Sequence, residues 1–242
     1  MVSSKYKMLY PPLVERIYQE EAKKNPKDID KAVKTKLHQM FGAYIQGNAH
    51  KKATQLEDVE KIMALHASTK ERLPYLADFC SHILSHTGAI ASIMDLGCGF
   101  NPFSLDYWQG LTTYYAYDID LRTSTLLNGF FATRGLPPYA SCADLTIETP
   151  TAQVDLALMC KLVPVLEMQC PGRGFALANA LNTKFLAITY PLKSLGGRNK
   201  GMGKNYANQF ENALANQQLS NFSLINTKEI GNELVYILQN IV

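Results

Sequence analysis

The stretch IMDLGCGFNP at residues 93–102 sets Asp95, Gly97 and Gly99 directly behind an apolar run. Glycines in such a place let the backbone turn sharply and come close to a ligand. A dinucleotide-binding turn would carry a third glycine where Pro102 stands, so a ligand without a pyrophosphate fits better. Past Gly99, the run TTYYAYDI closes on Asp118 and Ile119, and an acid at the end of a second strand is placed to bond a ribose hydroxyl pair. Asp144, in CADL, ends the next run and can accept from an adenine amino group, while Leu145 offers a backbone N–H to the ring. Isolated aspartates of this kind are usually helix caps or turn residues. An ordered set at three successive strand ends points instead to S-adenosylmethionine, whose sulfonium, adenosine and amino-acid tail each find a partner in such a pocket.

Ahead of these runs, LHASTKERL contains His66, Ser68, Lys70, Glu71 and Arg72, and helical spacing puts Ser68 and Arg72 on one face. Arg72 can hold a carboxylate through two parallel N–H bonds, which a lysine does less well. The plainer alternative is a capped helix with Ser68 or Thr69 at its start and Arg72 in water. Cys80, Cys98, Cys142, Cys160 and Cys170 are an odd set with no CxxC spacing, and five histidines form no HExxH or facing pair. A protein-held metal is therefore not expected.

Positioning these residues requires strands that alternate with helices. ASIMDLG, TTYYAYDI, YASCADL, VDLALMC and KFLAITY are short β-rich runs separated by helical ones, which predicts a parallel sheet. FSLINTKEIGNELVYILQNI breaks that alternation and predicts an antiparallel hairpin at the sheet edge, with KEIGN as its link. From Pro11 to about Leu84 the pattern is helical in three pieces: LVERIYQEEAKK, DIDKAVKTKLHQMFGAYI and LEDVEKIMALHAS. Asp28 is a candidate N-cap, and QGNAHKK at 46–52 reads as a loop. In the second piece Ile29, Val33, Leu37 and Phe41 form one stripe, leaving Lys31, Lys34 and Lys36 toward water. The expected organisation is a helical domain over residues 1–75 and an α/β domain over 76–242.

With 242 residues, 47% of them hydrophobic and 19% charged, the chain can bury a large core and is not disordered. No window approaches the roughly 20 apolar residues that cross a bilayer. The start, MVSSKYKMLYPP, lacks a signal-peptide core, so the expected location is the cytoplasm. Residues 1–85 carry 14 Lys and Arg against 10 Asp and Glu, and the remainder carries 10 against 11. A basic amino-terminal segment beside a neutral domain suits a polyanionic partner, although solvated helices often show the same balance.

LHASTKERL, DLGCGFNP, LALMCKLVPVLE at 156–167 and YPLKSLGGRNKGMGKNY at 190–206 together resemble the aminoglycoside-resistance 16S rRNA methyltransferases that modify guanine 1405 at N7. The likeness runs from about Lys36 to the carboxyl end, and S-L-G-G-R-x-K-G-M is its most specific part. It implies a class I, Rossmann-like S-adenosylmethionine-dependent methyltransferase domain preceded by a helical domain that docks on the 30S subunit. Cofactor contacts would come from Tyr44, His66, Ser68, Arg72, Gly97, Gly99, Asp118, Ile119, Asp144, Leu145, Cys160 and Gln169. The chain departs from the family at Gly97, where relatives often have alanine, and at Cys160, where they tend to have a large apolar residue.

Guanine N7 has a free lone pair and no proton, so transfer to it needs alignment and no general base; no catalytic residue is expected. Lys161 and Glu167 are the nearest charged candidates, with Lys161 better read as positioning RNA or cofactor. N7 faces the deep groove of A-form RNA, so the base must be distorted or flipped out. Lys193, Arg198, Lys200 and Lys204, interleaved with Gly196, Gly197 and Gly201 and no acid, suit an RNA strand held close to the backbone. Lys31, Lys34 and Lys36 would add phosphate contacts. A small-molecule methyltransferase and a non-catalytic RNA-binding module are the competing readings. The basic loop argues against the first, and the intact Gly97, Gly99, Asp118 and Asp144 argue against the second.

Overall fold

The computed structural model describes residues 6–24, 26–42, 44–45, 47–193 and 202–242. Five parallel strands form the sheet's body: β1 (Ser92–Leu96), β2 (Thr113–Asp118), β3 (Ala140–Cys142), β4 (Val154–Cys160) and β5 (Thr183–Pro191). β6 (Phe222–Ile230) and β7 (Glu233–Asn240) complete it as an antiparallel hairpin, in the order β3-β2-β1-β4-β5-β7-β6. The hairpin link is shorter than the sequence suggests. Lys228, Glu229 and Ile230 remain paired, and only Gly231 and Asn232 turn the chain. Gly231 does so with φ of 57°, where a side chain would be strained.

Strand periodicity divides the core in two. Ile93, Leu156, Leu158, Ala187, Val235 and Ile237 face one layer, while Met94, Ala157, Met159, Ile188, Leu234 and Tyr236 face the other. The second layer is α8 (Val163–Gln169), α9 (Arg173–Asn179) and α10 (Met202–Ala215), which contribute Phe175, Leu177 and Phe210 to it. The first contains α7 (Leu121–Thr133), α6 (Leu76–Thr87) and the amino-terminal helices.

Those helices are more broken than hydrophobic spacing suggests. α1 (Pro11–Lys23) and α2 (Ile29–Leu37) form as expected, and Asp28 caps α2 by accepting from the Lys31 N–H at 2.9 Å. After Leu37 the chain widens into one π turn, His38–Gly42. The segment read as a loop holds α3 (Ala49–Ala53), and LEDVEKIMALHAS is cut into α4 (Val59–Met63) and α5 (Ala67–Arg72). The cap of α5 is His66, with Ser68 and Thr69 inside the helix; the Thr69 hydroxyl donates back to the Met63 carbonyl at 2.6 Å. The break between α4 and α5 brings His66 to the cavity at the strand ends.

Leu13, Ile17, Val33 and Leu37 lie in the same buried cluster as the β1 and β2 residues Ile93 and Tyr114. Backbone bonds reinforce the contact: the Tyr10 N–H donates to the Ile119 carbonyl at 2.8 Å, and the Leu121 N–H to the Met8 carbonyl at 2.9 Å. Leu37 is fully buried, so Leu37→Ala should cost about 2–5 kcal/mol. Because Trp108, the only tryptophan, is buried in that cluster, its fluorescence in a urea titration should shift together with far-UV circular dichroism. A Trp108 transition that ignores the substitution would show that the helices unfold separately.

Candidate active site

The carboxyl ends of β1, β2 and β4 open onto one cavity, where strand ends of an open α/β sheet usually hold a ligand. Its floor is the turn after β1. Gly97 and Gly99 have φ of 67° and 50°, and a Cβ at Gly99 would lie 2.6 Å from the His66 imidazole. The chain then runs into a 3₁₀ helix, Asn101–Tyr107, so no α-helix packs behind the turn, consistent with Pro102 in the third glycine's place. Gly99 donates its N–H to Asp118 Oδ2 at 2.9 Å, and the Asp120 N–H donates to Oδ1 at 3.0 Å. Burial pushes the Asp118 carboxyl up to about 6, and these two backbone bonds only partly oppose it.

α5 and the segment before α3 form a second wall. Tyr44 stacks on His66 with centroids 6.1 Å apart and planes 11° apart, and Ser68 and Arg72 face the same cavity. Burial, with Arg72 adding to it, holds the His66 imidazole down at about 3, so it is neutral. Its Nδ1 has no partner among the described residues and can receive a ligand's polar group.

Arg72 is not in water. Its Nε and Nη2 donate to Glu233 Oε1 and Oε2 at 2.9 and 2.8 Å, and Nη1 donates to Asn101 Oδ1 at 2.8 Å. Asn101 in turn donates to Asp95 Oδ2 at 2.8 Å, which also accepts from the Tyr114 hydroxyl at 2.8 Å. Lys161, with φ of 56°, is held by Glu71 at 2.7 Å and lies 3.6 Å from Glu233. The Glu167 carboxylate accepts from the Gly172 and Gly174 N–H groups at 2.6 and 2.7 Å, and so is committed to fastening α9.

Ile119, Asp144, Leu145 and Cys160 line the remaining side with Leu13 and Leu166. Asp144 is fully buried, and both its oxygens already have protein donors. Arg16 Nε reaches Oδ2 at 2.7 Å, and the Thr146 N–H and hydroxyl reach Oδ1 at 3.1 and 2.5 Å. Burial raises the Cys160 thiol to about 12, leaving it a small neutral group on the wall.

Eleven of the twelve residues expected around a cofactor therefore line this cavity. Gln169 does not: it sits at the end of α8, and its Oε1 accepts from Lys36 Nζ at 3.2 Å. For the same reason Lys36 is half-buried, whereas Lys31, Lys34, Lys193 and Lys204 are exposed. Arg198 and Lys200 lie outside the described residues. Sequence reading missed Glu233, Asn101 and Thr189. The signal for Glu233 is an acid opening the otherwise apolar ELVYIL. Among the described residues, no group of three His, Cys, Asp or Glu side chains could hold a metal.

The close approach of His66 to Gly99 makes a sharp test. Gly99→Ala should lose about 1–2 kcal/mol from its left-handed backbone alone, and more because the methyl group displaces the imidazole. Thermal unfolding reads the first effect. An unchanged melting temperature would refute it.

A family model described as ribosomal RNA methyltransferase (FmrO) matches residues 2–237, so the likeness extends over the amino-terminal helices as well. A 16S rRNA (guanine(1405)-N(7))-methyltransferase of Serratia marcescens is 36% identical over 244 aligned positions, covering 99% of this chain and 95% of that protein. One of the same name from Micromonospora echinospora is 32% identical, covering 98% and 93%. The crystal structure of the 16S rRNA methyltransferase RmtF in complex with S-adenosyl-L-homocysteine superposes with a TM-score of 0.89 at 33% identity, covering 98% of this chain and 94% of that one. With a class I sheet order, a cavity at its strand ends and this extent of similarity, the chain belongs to the FmrO family of ribosomal RNA methyltransferases.

Proposed function

We propose that this protein transfers the methyl group of S-adenosylmethionine to N7 of guanine 1405 in the 16S rRNA of assembled 30S subunits, in the cytoplasm, and thereby confers aminoglycoside resistance. The observation that carries this reading is the strand-end cavity itself, in a chain 36% identical along its length to an enzyme of that specificity. The donor set suits the cofactor: an acid beside a side-chain-free turn for the ribose, unspent N–H groups on Arg72 for the carboxylate, and apolar Ile119 and Leu145 for the adenine faces. Asp144, held by Arg16 and Thr146, fixes the loop that carries Leu145 and keeps acceptor capacity on Oδ2 for the adenine amino group.

When bound, the cofactor supplies an electrophilic methyl group: the N7–carbon bond forms as the carbon–sulfur bond breaks, and the positive charge moves from sulfur to the base. N7 has no proton to lose, so the chain's residues act by alignment and water exclusion. Neutral His66 and the Tyr44 ring cover the cavity without adding a charge beside a developing cation. The helical segment 1–75 docks on the subunit, with Lys31 and Lys34 on its exposed face and Lys193, Arg198, Lys200 and Lys204 at the base-bearing strand. Lys36, turned to Gln169, contributes by linking α2 to α8.

Tritium transfer to 30S subunits, followed by mapping of the modified nucleotide, tests the whole reading. Incorporation at guanine 1405 in subunits but not in free rRNA is expected, and methylation elsewhere or none would overturn it. Arg198→Ala and Lys200→Ala should depress that transfer while calorimetric affinity for S-adenosylhomocysteine stays unchanged; loss of both would place the loop at the cofactor instead.

The raised Asp118 carboxyl adds a pH signature. Ribose hydroxyls donate to the ionised form, so affinity for S-adenosylhomocysteine should climb as pH passes about 6 and then level off. Stability runs the other way. A folded-state value above the ordinary carboxylate range favours the protonated protein, so that contribution is complete at acid pH and lost as pH rises through about 6. Asp118→Asn should flatten the binding profile and cost about 1–3 kcal/mol of affinity at neutral pH. A parent profile that is flat across this range would remove Asp118 from the ribose.

A further inference from the structure

The second strand of the β6–β7 hairpin opens on a residue that bonds Arg72 of the cavity wall. Glu233 opens β7 on the same face as Val235 and Ile237, which puts its carboxylate into the layer occupied by α5 and α6. It is 3% exposed, and its surroundings satisfy it fully. Arg72 donates twice, the Thr189 hydroxyl donates to Oε2 at 2.6 Å, and Lys161 Nζ is 3.6 Å away. Burial alone would push this carboxyl up, but Arg72 and Lys161 outweigh it and hold it below its usual range.

The donor count of Arg72 is informative. A guanidinium has five N–H groups. Glu233 takes the one on Nε and one on Nη2, and Asn101 takes one on Nη1. One N–H on each terminal nitrogen is left, which is the number a second carboxylate needs for a two-point grip. The Phe79 ring lies 4.7 Å from the guanidinium carbon and closes one of its flat faces. The plane of Arg72 is thus fixed by groups on α6, the 3₁₀ helix after β1, and β7.

We propose that Glu233 is a positioning residue for the cofactor: by holding one edge of Arg72 it turns the two unspent N–H groups toward the carboxylate of the cofactor's amino-acid tail. This rests on the role given to Arg72 under the proposed function. Without Glu233 the guanidinium would have to be ordered at the moment of binding, and would be free to turn its fork elsewhere. Thr189 contributes one step further out, by fixing the Glu233 oxygen that Arg72 Nη2 meets.

A purely structural ion pair would fasten the hairpin and affect every ligand alike; a positioning role is selective for the tail. The experiment compares calorimetric affinities of the full chain for S-adenosylhomocysteine and for 5′-methylthioadenosine, which keeps the adenosine and lacks the amino acid. Glu233→Gln should lose about tenfold or more for the first and almost nothing for the second. In 30S methylation it should raise KM for S-adenosylmethionine far more than it lowers kcat. Thr189→Val removes only the hydroxyl and keeps the ion pair, so it should fold and show the same selectivity at smaller size, even if Glu233→Gln does not fold. Equal losses for both ligands, or no loss for either, in these variants would overturn the proposal. Arg72→Gln separates the two levels. If it is tail-selective and the Glu233 and Thr189 variants are not, only the positioning role falls; if it is not tail-selective, the carboxylate grip falls and takes the positioning role with it.

Discussion

A guanidinium withdrawn from water must find acceptors, and the way Arg72 finds them organises this molecule. Its partners come from distant parts of the chain: Glu233 from the last strand, Asn101 from the turn after the first, and through Glu233 also Thr189 and Lys161. Breaking a buried pair by removing one partner leaves an uncompensated charge, which is far more costly than the pair itself is stabilising. The arrangement is therefore better understood as a constraint on geometry than as a source of stability. It fixes α5 to the sheet, and with α5 it fixes His66, Ser68 and the wall of the cavity.

The opposite wall is set by a different economy. Asp118 is desolvated at the carboxyl end of β2, where it accepts from the Gly99 and Asp120 backbone N–H groups. Its carboxyl is consequently less acidic than usual and has acceptor capacity left over. Asp144 is deeper, and its bonds to Arg16 and Thr146 fasten its loop to α1. Two acids at neighbouring strand ends thus both line the cavity, and they differ in the kind of donor around them: backbone N–H groups at Asp118, the Arg16 guanidinium and Thr146 at Asp144.

The amino-terminal helices belong to the same physical object as the sheet. Arg16 of α1 reaches Asp144, Leu13 faces the cavity, and the segment before α1 bonds to the start of α7. Whatever surface α2 presents through Lys31 and Lys34 is therefore carried at a fixed distance from the strand ends. A methyl transfer that relies on alignment rather than on a catalytic base benefits from that rigidity, because small misplacements are what it tolerates least.

The sequence by itself determined the strands, the glycine turn and the acid that ends β2, because each depends on local rules: alternation of apolar residues, backbone freedom at glycine, and placement at a strand terminus. Of the twelve residues it singled out for the cofactor, through motif likeness together with spacing, eleven line one cavity. It did not locate the breaks in the helices, since π and 3₁₀ turns arise where packing outweighs a continuous stripe. Nor did it reveal the partner of Arg72, which lies 161 positions away, or that Lys36 and Gln169 would bond to each other across 133. Hydrophobic patterning says which face of an element is buried. Which charges meet inside is decided only when the elements are assembled, because a buried ion pair is specified by distance in space and leaves no period in the chain.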